Sequence, residues 1–529
     1  MKTNLNKLGR ATALAVALMG VSAATATAAE VTLKSADGTV NLTGEFVSYS
    51  DDIYTIKTAL GNLQVSASRV SCIGEDCPTF DTVSAEVTFA GSDTVGLGLM
   101  PLLLSGYGSY LDAEASVVNT ENEGEILVNL VGDEGFGDDI GSLLVNSTSS
   151  SKAFEALGTQ TANIGMSSRR IKPAEARALR DGGAGNMVSP AQEHIVAVDS
   201  LVVITHPENP INTVSVEQLQ DIYAGKIRDW SEIGGTPGPI KVINRQFTSG
   251  TRSVFENGVF GDKKYQPGVG QTVASNNNEM ATLVNGDKNA IGYVGYAFQR
   301  GAKGLDLVNE CGLLSSPDEF SAKTEEYALQ RRLYLYNRAD GLTEPVSDFL
   351  DFATSESADG MISKSGFISL GIKRRVQSLD SARARTLIET TTDPYEVGVM
   401  RDMLALMPKH DRLSSTFRFR QGSSKLDEKA RLDMDRLIRF LELEPKGTSI
   451  SLVGFTDSVG VFEANRSLSM DRSRQVAFDL KQRANGRIDH INISTAGFGE
   501  MSPTGCNTSA KGQANNRRVE VWIETGTPS

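Results

Sequence analysis

Between Val83 and Ile372 the chain alternates short apolar runs with amphipathic stretches, as in Leu201-Val202-Val203-Ile204 and then the helical pattern of Val216 to Ala224. A chain written this way buries strands and covers them with helices, which restricts the fold to the α/β class. No segment beyond Ala29 approaches the roughly twenty uninterrupted apolar residues of a membrane-spanning helix.

The flanking segments differ in pattern. Lys2, Lys7 and Arg10, the apolar run Ala11 to Val21 and the small-residue run Ala23 to Ala29 have the three-part order of a secretory signal peptide, expected to occupy 1–29. No cysteine follows the cleavage region, so no lipid anchor is expected. Residues 30–82 alternate polar and apolar, with turns at Asp37-Gly38 and Gly61-Asn62, and read as a small antiparallel β module. Residues 373–412 are densely charged and helical in pattern, broken at Thr390-Thr391-Thr392-Asp393-Pro394, and read as a helical connector. A further domain fills 413–529.

The formal charge of −13 becomes more negative once the three cations of the leader are removed. Nucleic-acid binding relies on basic patches, so that class of partner is excluded. Cys72 and Cys77 are close enough in sequence to close a small loop, which an oxidising compartment favours. Cys311 and Cys506 fall in different domains and are each expected to be unpaired, with an inter-domain bond as the lesser alternative. The four histidines and scattered cysteines offer no metal-ligand spacing, so neither metal nor cofactor is expected.

Four segments of 83–372 carry polar residues at strand ends and helix starts. They are Val87-Thr88-Phe89-Ala90-Gly91-Ser92-Asp93-Thr94-Val95-Gly96, Asn146 to Ser151, Ala162 to Arg169, and Asn244-Arg245-Gln246-Phe247-Thr248-Ser249-Gly250-Thr251-Arg252. A dehydrated oxyanion needs a donor at nearly every oxygen, and helix N-termini supply free N–H groups with a favourable dipole. Ser and Thr add hydroxyls without bulk, and Gly250 admits close backbone approach.

Together these segments resemble the periplasmic phosphate-binding protein family of PstS type, which implies a two-lobed periplasmic-binding-protein fold. The resemblance implies Arg245 as the cation, Ser249, Gly250 and Thr251 as the cradle, and Thr94 and Val95 as the first-strand contact. It further implies Ser150 and Ser168 as hydroxyl contacts, with Arg252 as a second cation. The serine run aligns in two ways, exchanging Ser147 for Ser150. The family's best-known members carry an Asp, which accepts the proton of hydrogen phosphate, where this chain has Ser168. A serine both donates and accepts, so binding is expected without tight selectivity.

From Ser414 to Glu524, Gly454-Phe455-Thr456-Asp457-Ser458-Val459-Gly460 is followed by Asn465, Leu468-Ser469, Arg472 and Asn516-Arg517-Arg518-Val519-Glu520-Val521. Thr456 and Asp457 suit a helix cap, and the fork of Arg472 suits a planar carboxylate. The set resembles the OmpA-like peptidoglycan-binding domain, an α+β fold. The resemblance implies that Asp457 takes the ammonium and Arg472 the carboxylate of diaminopimelate, with Thr456, Asn465 and Arg517 in support. Family members often have His where Phe455 stands.

The expected function is a non-enzymatic periplasmic receptor for phosphate or a similar oxyanion, held to peptidoglycan and so placed near the outer membrane. Alternatives are delivery to an inner-membrane phosphate transporter and a wall-anchored scaffold whose receptor domain has lost or changed its ligand. A tethered carrier samples a limited volume, which disfavours delivery. A serine phosphatase would need a positioned base, and His194, His206, His410 and His490 are scattered.

Overall fold

The computed structural model describes residues 30–35, 40–50, 53–66, 70–74, 77, 85–135, 137–261, 263, 265–419 and 428–525. The expected signal peptide lies outside the described residues. The chain divides into two compact units, Met1–Asp81 and Thr82–Ser529.

The first unit is a five-stranded antiparallel sheet. Its strands run Gly61–Ser66, Ile53–Thr58, Asn41–Ser50, Glu30–Lys34 and Ser71–Ile73 in spatial order. Period-two alternation buries Val31, Leu33, Tyr54 and Ile56 and leaves their neighbours more exposed. Cys72 and Cys77 are disulfide-bonded, with Cα atoms 5.8 Å apart.

In the second unit, the portion before residue 373 is built on a mixed sheet. Its main path runs Thr272–Ala274, Lys241–Arg245, Ala290–Gly295, Glu193–Thr205, Gln330–Asn337, Ile164–Ser167, Val87–Ser92, Asp139–Thr148, Glu125–Val131 and Glu114–Asn119. The long strand Glu193–Thr205 joins two lobes. Its first half pairs with Gln330–Tyr336, and Leu201–Thr205 pairs with Ile291–Gly295. Val202 and Ile204 enter one core while Leu201 and Val203 enter another, as strand alternation requires. That double burial explains the uninterrupted apolar run in the sequence.

The C-terminal portion is a five-stranded sheet ordered Arg374–Val376, His410–Arg418, Arg518–Glu524, Ser449–Gly454 and Asn492–Gly497. The last two are parallel, joined by the helix Phe462–Ala484 as a crossover. Residues 373–412 form two helices, Ala382–Thr390 and Pro394–Leu406, as the pattern suggests, but they are not a free connector. Leu387, Val399, Met400, Met403 and Met407 pack against Val453, Phe455 and Trp522, and Arg374–Val376 adds an edge strand. Their apolar faces need that sheet for burial.

The expectation of unpaired Cys311 and Cys506 is corrected. They form a disulfide with Cα atoms 5.6 Å apart that links the portion before residue 373 to the C-terminal sheet. Sequence separation hid the pair, because folding brings their loops together. Ion pairs reinforce the junction: Arg412 contacts Glu326, and Arg418 Nε lies 3.1 Å from Glu325. Within the C-terminal sheet Arg412 also lies 3.0 Å from Glu520. Burial works against a charged Glu520, but Arg383, Arg412 and Arg518 outweigh it and hold its pKa well below the usual carboxylate range. No helix among the described residues is long and apolar enough to cross a membrane.

Candidate functional site

Four helical N-termini meet between the lobes. Val87–Ser92 ends at Asp93 and enters the helical turn Thr94–Leu99; Asp139–Thr148 leads into Ser150–Thr159; Lys241–Arg245 leads into Gly250–Val259; and Asn277–Asn285 begins after Thr272–Ala274. Gly91 permits the first turn. Its φ is +138°, and a Cβ there would lie 2.2 Å from the Met166 carbonyl oxygen.

Arg245 is 1% exposed. Its Nη2 donates to Asp93 Oδ2 and to the Ser275 carbonyl oxygen, each at 3.0 Å. Its Nε and Nη1 are buried without a hydrogen-bond partner. Such a group is costly unless something else accepts from it, so the donors stand ready for an anion.

Ser150 and Ser168 share a 3.2 Å hydroxyl contact, and the Ser168 N–H donates to Ser150 Oγ at 3.0 Å. Both face Gly250 from the opposite lobe. A Cβ on Gly250 would fall 2.1 Å from Ser150 Oγ and 2.4 Å from Ser168 Oγ. Ser147, the alternative contact in the serine run, instead lies against Gly96. Ser249 caps its helix by accepting from the Arg252 N–H at 3.3 Å. Thr251 and Thr94 hydroxyls meet at 3.3 Å. Val95 is buried in the core beneath them.

Arg252, the second cation that the resemblance implies, lies beside Arg245 and keeps its Nη2 buried without a hydrogen-bond partner. Arg252 donates through Nη1 to the Arg245 carbonyl oxygen and through Nε to Glu256, each at 2.7 Å, and stacks on Phe247. Arg331 also reaches this cluster, with all its nitrogens hydrogen-bonded. Its Nη1 donates to Thr251 Oγ1 at 2.7 Å and its Nη2 to Thr94 Oγ1 at 3.3 Å. Its other face pairs with Asp199 at 2.6 Å. Burial raises the Asp199 pKa while Arg331 opposes it.

Sequence reasoning also passed over Asp93 and Asn277. Asp93 Oδ2 accepts from Arg245 and from Asn277 Nδ2 at 3.1 Å, so the site contains a carboxylate although Ser168 is not one. Asn277 Nδ2 also donates to Thr94 Oγ1 at 3.0 Å. One signal was present: Asp199 is an acid inside the apolar run Ile195 to Ile204, and a fully buried carboxylate needs a partner.

The second cluster lies in the C-terminal portion. Ser449–Gly454 delivers Thr456 and Asp457 at its end, and the helix Phe462–Ala484 carries Asn465 and Arg472. Asp457 Oδ2 accepts from Arg517 Nη1 at 2.6 Å, and its Oδ1 accepts from the Val459 N–H. Arg472 is 1% exposed, stacked on Phe419, with Nε and Nη1 unpartnered. Burial lowers its pKa, nearby Arg517 adds to this, and Asp457 opposes it. Thr456 Oγ1 is likewise buried without a partner. Asn465 donates to Glu500 at 2.6 Å, which points it away from a direct bond to Asp457. Phe455, where the family often has His, is fully buried in the core.

Residues 82–357 match the family described as the PBP superfamily domain, and 418–517 match the OmpA family. The first match covers more than half of the chain, which therefore belongs to the PBP superfamily; it carries an OmpA domain fused behind it. Among relatives, "Phosphate-binding protein PstS" of Borreliella burgdorferi is 28% identical over 193 residues, covering 35% of this chain and 67% of its own length. The protein of the same name from Pseudomonas aeruginosa is 27% identical over 250 residues, covering 44% of this chain and 75% of its own. An ABC-type phosphate transport receptor from Vibrio cholerae, known from its crystal structure, is 24% identical with a TM-score of 0.39. That match covers 54% of this chain and 99% of the receptor.

Proposed function

We propose that this chain is a periplasmic receptor for phosphate or a similar oxyanion, held non-covalently to peptidoglycan through its OmpA domain. The observation that carries the first half is Arg245, with two unpartnered guanidinium nitrogens where helix N-termini converge. Relatives named as phosphate-binding proteins support the choice of anion. The roles follow: Arg245 supplies charge, Gly250 and Thr251 the cradle, and Thr94, Ser150 and Ser168 neutral hydroxyls. Asp93 offers an acceptor, which favours a protonated anion over one with no proton to give.

The second half rests on Arg472, whose unpartnered nitrogens sit in one cluster with Asp457 and Arg517. A carboxylate and a guanidinium side by side suit the zwitterionic end of diaminopimelate. Calorimetric titration of the mature chain tests the receptor half. Phosphate should bind the wild type and fail to bind Arg245→Ala; a folded wild type that gives no heat refutes it. Loss of peptidoglycan co-sedimentation in Asp457→Asn tests the anchor half.

A further inference from the structure

A cavity of about 330 Å³ opens where the two lobes, the strand Gln330–Asn337 and the OmpA domain meet. Its walls carry Arg169, Arg170, Lys172, Arg331, Arg332 and Lys511, against one lining carboxylate, Glu325. That volume falls in the range of small-molecule sites, about 300–1,000 Å³, and is generous for a single oxyanion.

The arginines are held in place from behind. Arg169 is fixed by Glu175 at 2.6 Å, Arg170 by Glu193 at 2.8 Å and Arg331 by Asp199 at 2.6 Å, and none of those three carboxylates lines the cavity. Arg332 lies 3.5 Å from both Glu325 and Asp433. No ion pair within 4.0 Å is described for Lys172 or Lys511. The Lys511 Nζ donates to the Ala328 carbonyl oxygen at 3.2 Å, and its surroundings disfavour the charged amine, with Glu310 and Glu325 the opposing carboxylates. Preorganised cations from three directions suit an extended anion with charge at more than one point.

We propose that this junction cavity is a second anion site, adjoining the Arg245 site at Arg331, that binds a compact polyanion of the diphosphate class. Because Lys511 belongs to the OmpA domain and the other five cations to the receptor, the ligand would be gripped by both domains at once.

Inorganic pyrophosphate is the probe, titrated calorimetrically into the mature full-length chain. Pyrophosphate should bind the wild type and bind Arg245→Ala within about twofold of it. It should bind Lys511→Ala and Lys172→Ala about tenfold or more weakly, the scale of one lost charge-assisted contact. Lys172 is exposed, so its replacement tests the site even where Lys511→Ala fails to fold. Orthophosphate binding should be unchanged in both lysine variants. No pyrophosphate heat in the wild type, binding abolished by Arg245→Ala, or binding indifferent to both lysines would each overturn the proposal. Failure of orthophosphate alone to bind bears only on the Arg245 site.

Discussion

Gly250→Ala probes closure of the receptor by one methyl group. The added Cβ would stand 2.1 Å from Ser150 Oγ and 2.4 Å from Ser168 Oγ. Turning the Ser150 hydroxyl aside would break its bonds to Ser168 and still leave Ser150 Cβ at 2.9 Å, closer than carbon atoms pack. Overpacking of this kind costs about 1–3 kcal/mol. Gly250 and the two serines belong to opposite lobes, so the cost falls on the closed state that grips the anion and spares an open one. Apparent affinity should drop by roughly 5- to 150-fold, since a ligand that needs one state is weakened by whatever depopulates it. Ser150→Gly in the same chain removes two of the three contacting atoms, leaving Ser168 Oγ, and should restore part of the loss. Calorimetry with phosphate reads the effect, and thermal denaturation without ligand should differ little between Gly250→Ala and wild type. Wild-type affinity in Gly250→Ala would refute the reasoning that these elements close on the ligand.

Further outcomes test other parts of the account. Replacing Cys311 and Cys506 by serine opens a cross-link spanning 195 residues and should cost about 3–5 kcal/mol, read as a lower denaturant midpoint; an unchanged midpoint would show the link to be energetically idle. Glu520→Gln leaves Arg383, Arg412 and Arg518 without their shared buried carboxylate and should destabilise by about 3–5 kcal/mol in denaturant unfolding, whereas an exposed-type effect below 1 kcal/mol would contradict the network. Burial lowers the Lys323 pKa to about 8 against an ordinary 10.5, with Glu319 opposing. The folded state therefore holds that proton less well, and stability rises with pH between about 8 and 10.5. Relative to Lys323→Met, the wild type should gain about 2–3 kcal/mol of unfolding free energy from pH 7 to pH 10; a flat difference would be the opposing result.

The sequence made the fold legible wherever local pattern decides it. Leu201–Ile204 reads as an apolar strand and is one, buried on both faces. Motif residues at strand ends and helix starts were legible for the same reason: Thr94, Ser150, Arg245 and Gly250 converge because each follows a strand of the same sheet. What stayed hidden depends on contacts between distant segments. Asn277 reaches Asp93 across 184 positions and Arg331 reaches Thr94 across 237, distances over which no periodicity speaks. Arg252 sits beside the cradle in sequence, yet helix geometry turns it toward Arg245's carbonyl and Glu256. Residues 373–412 looked like a connector because their charges dominate the pattern, while Met400, Met403 and Met407 supply the face that docks.

The central claim, an anion receptor and a wall anchor in one chain, is tested most directly by sedimenting purified peptidoglycan with radiolabelled orthophosphate and the mature protein. The account expects label in the pellet with wild type, protein without label with Arg245→Ala, and neither with Asp457→Asn. Wild-type protein that pellets without label would contradict the receptor. Label retained by protein that stays in the supernatant would contradict the anchor.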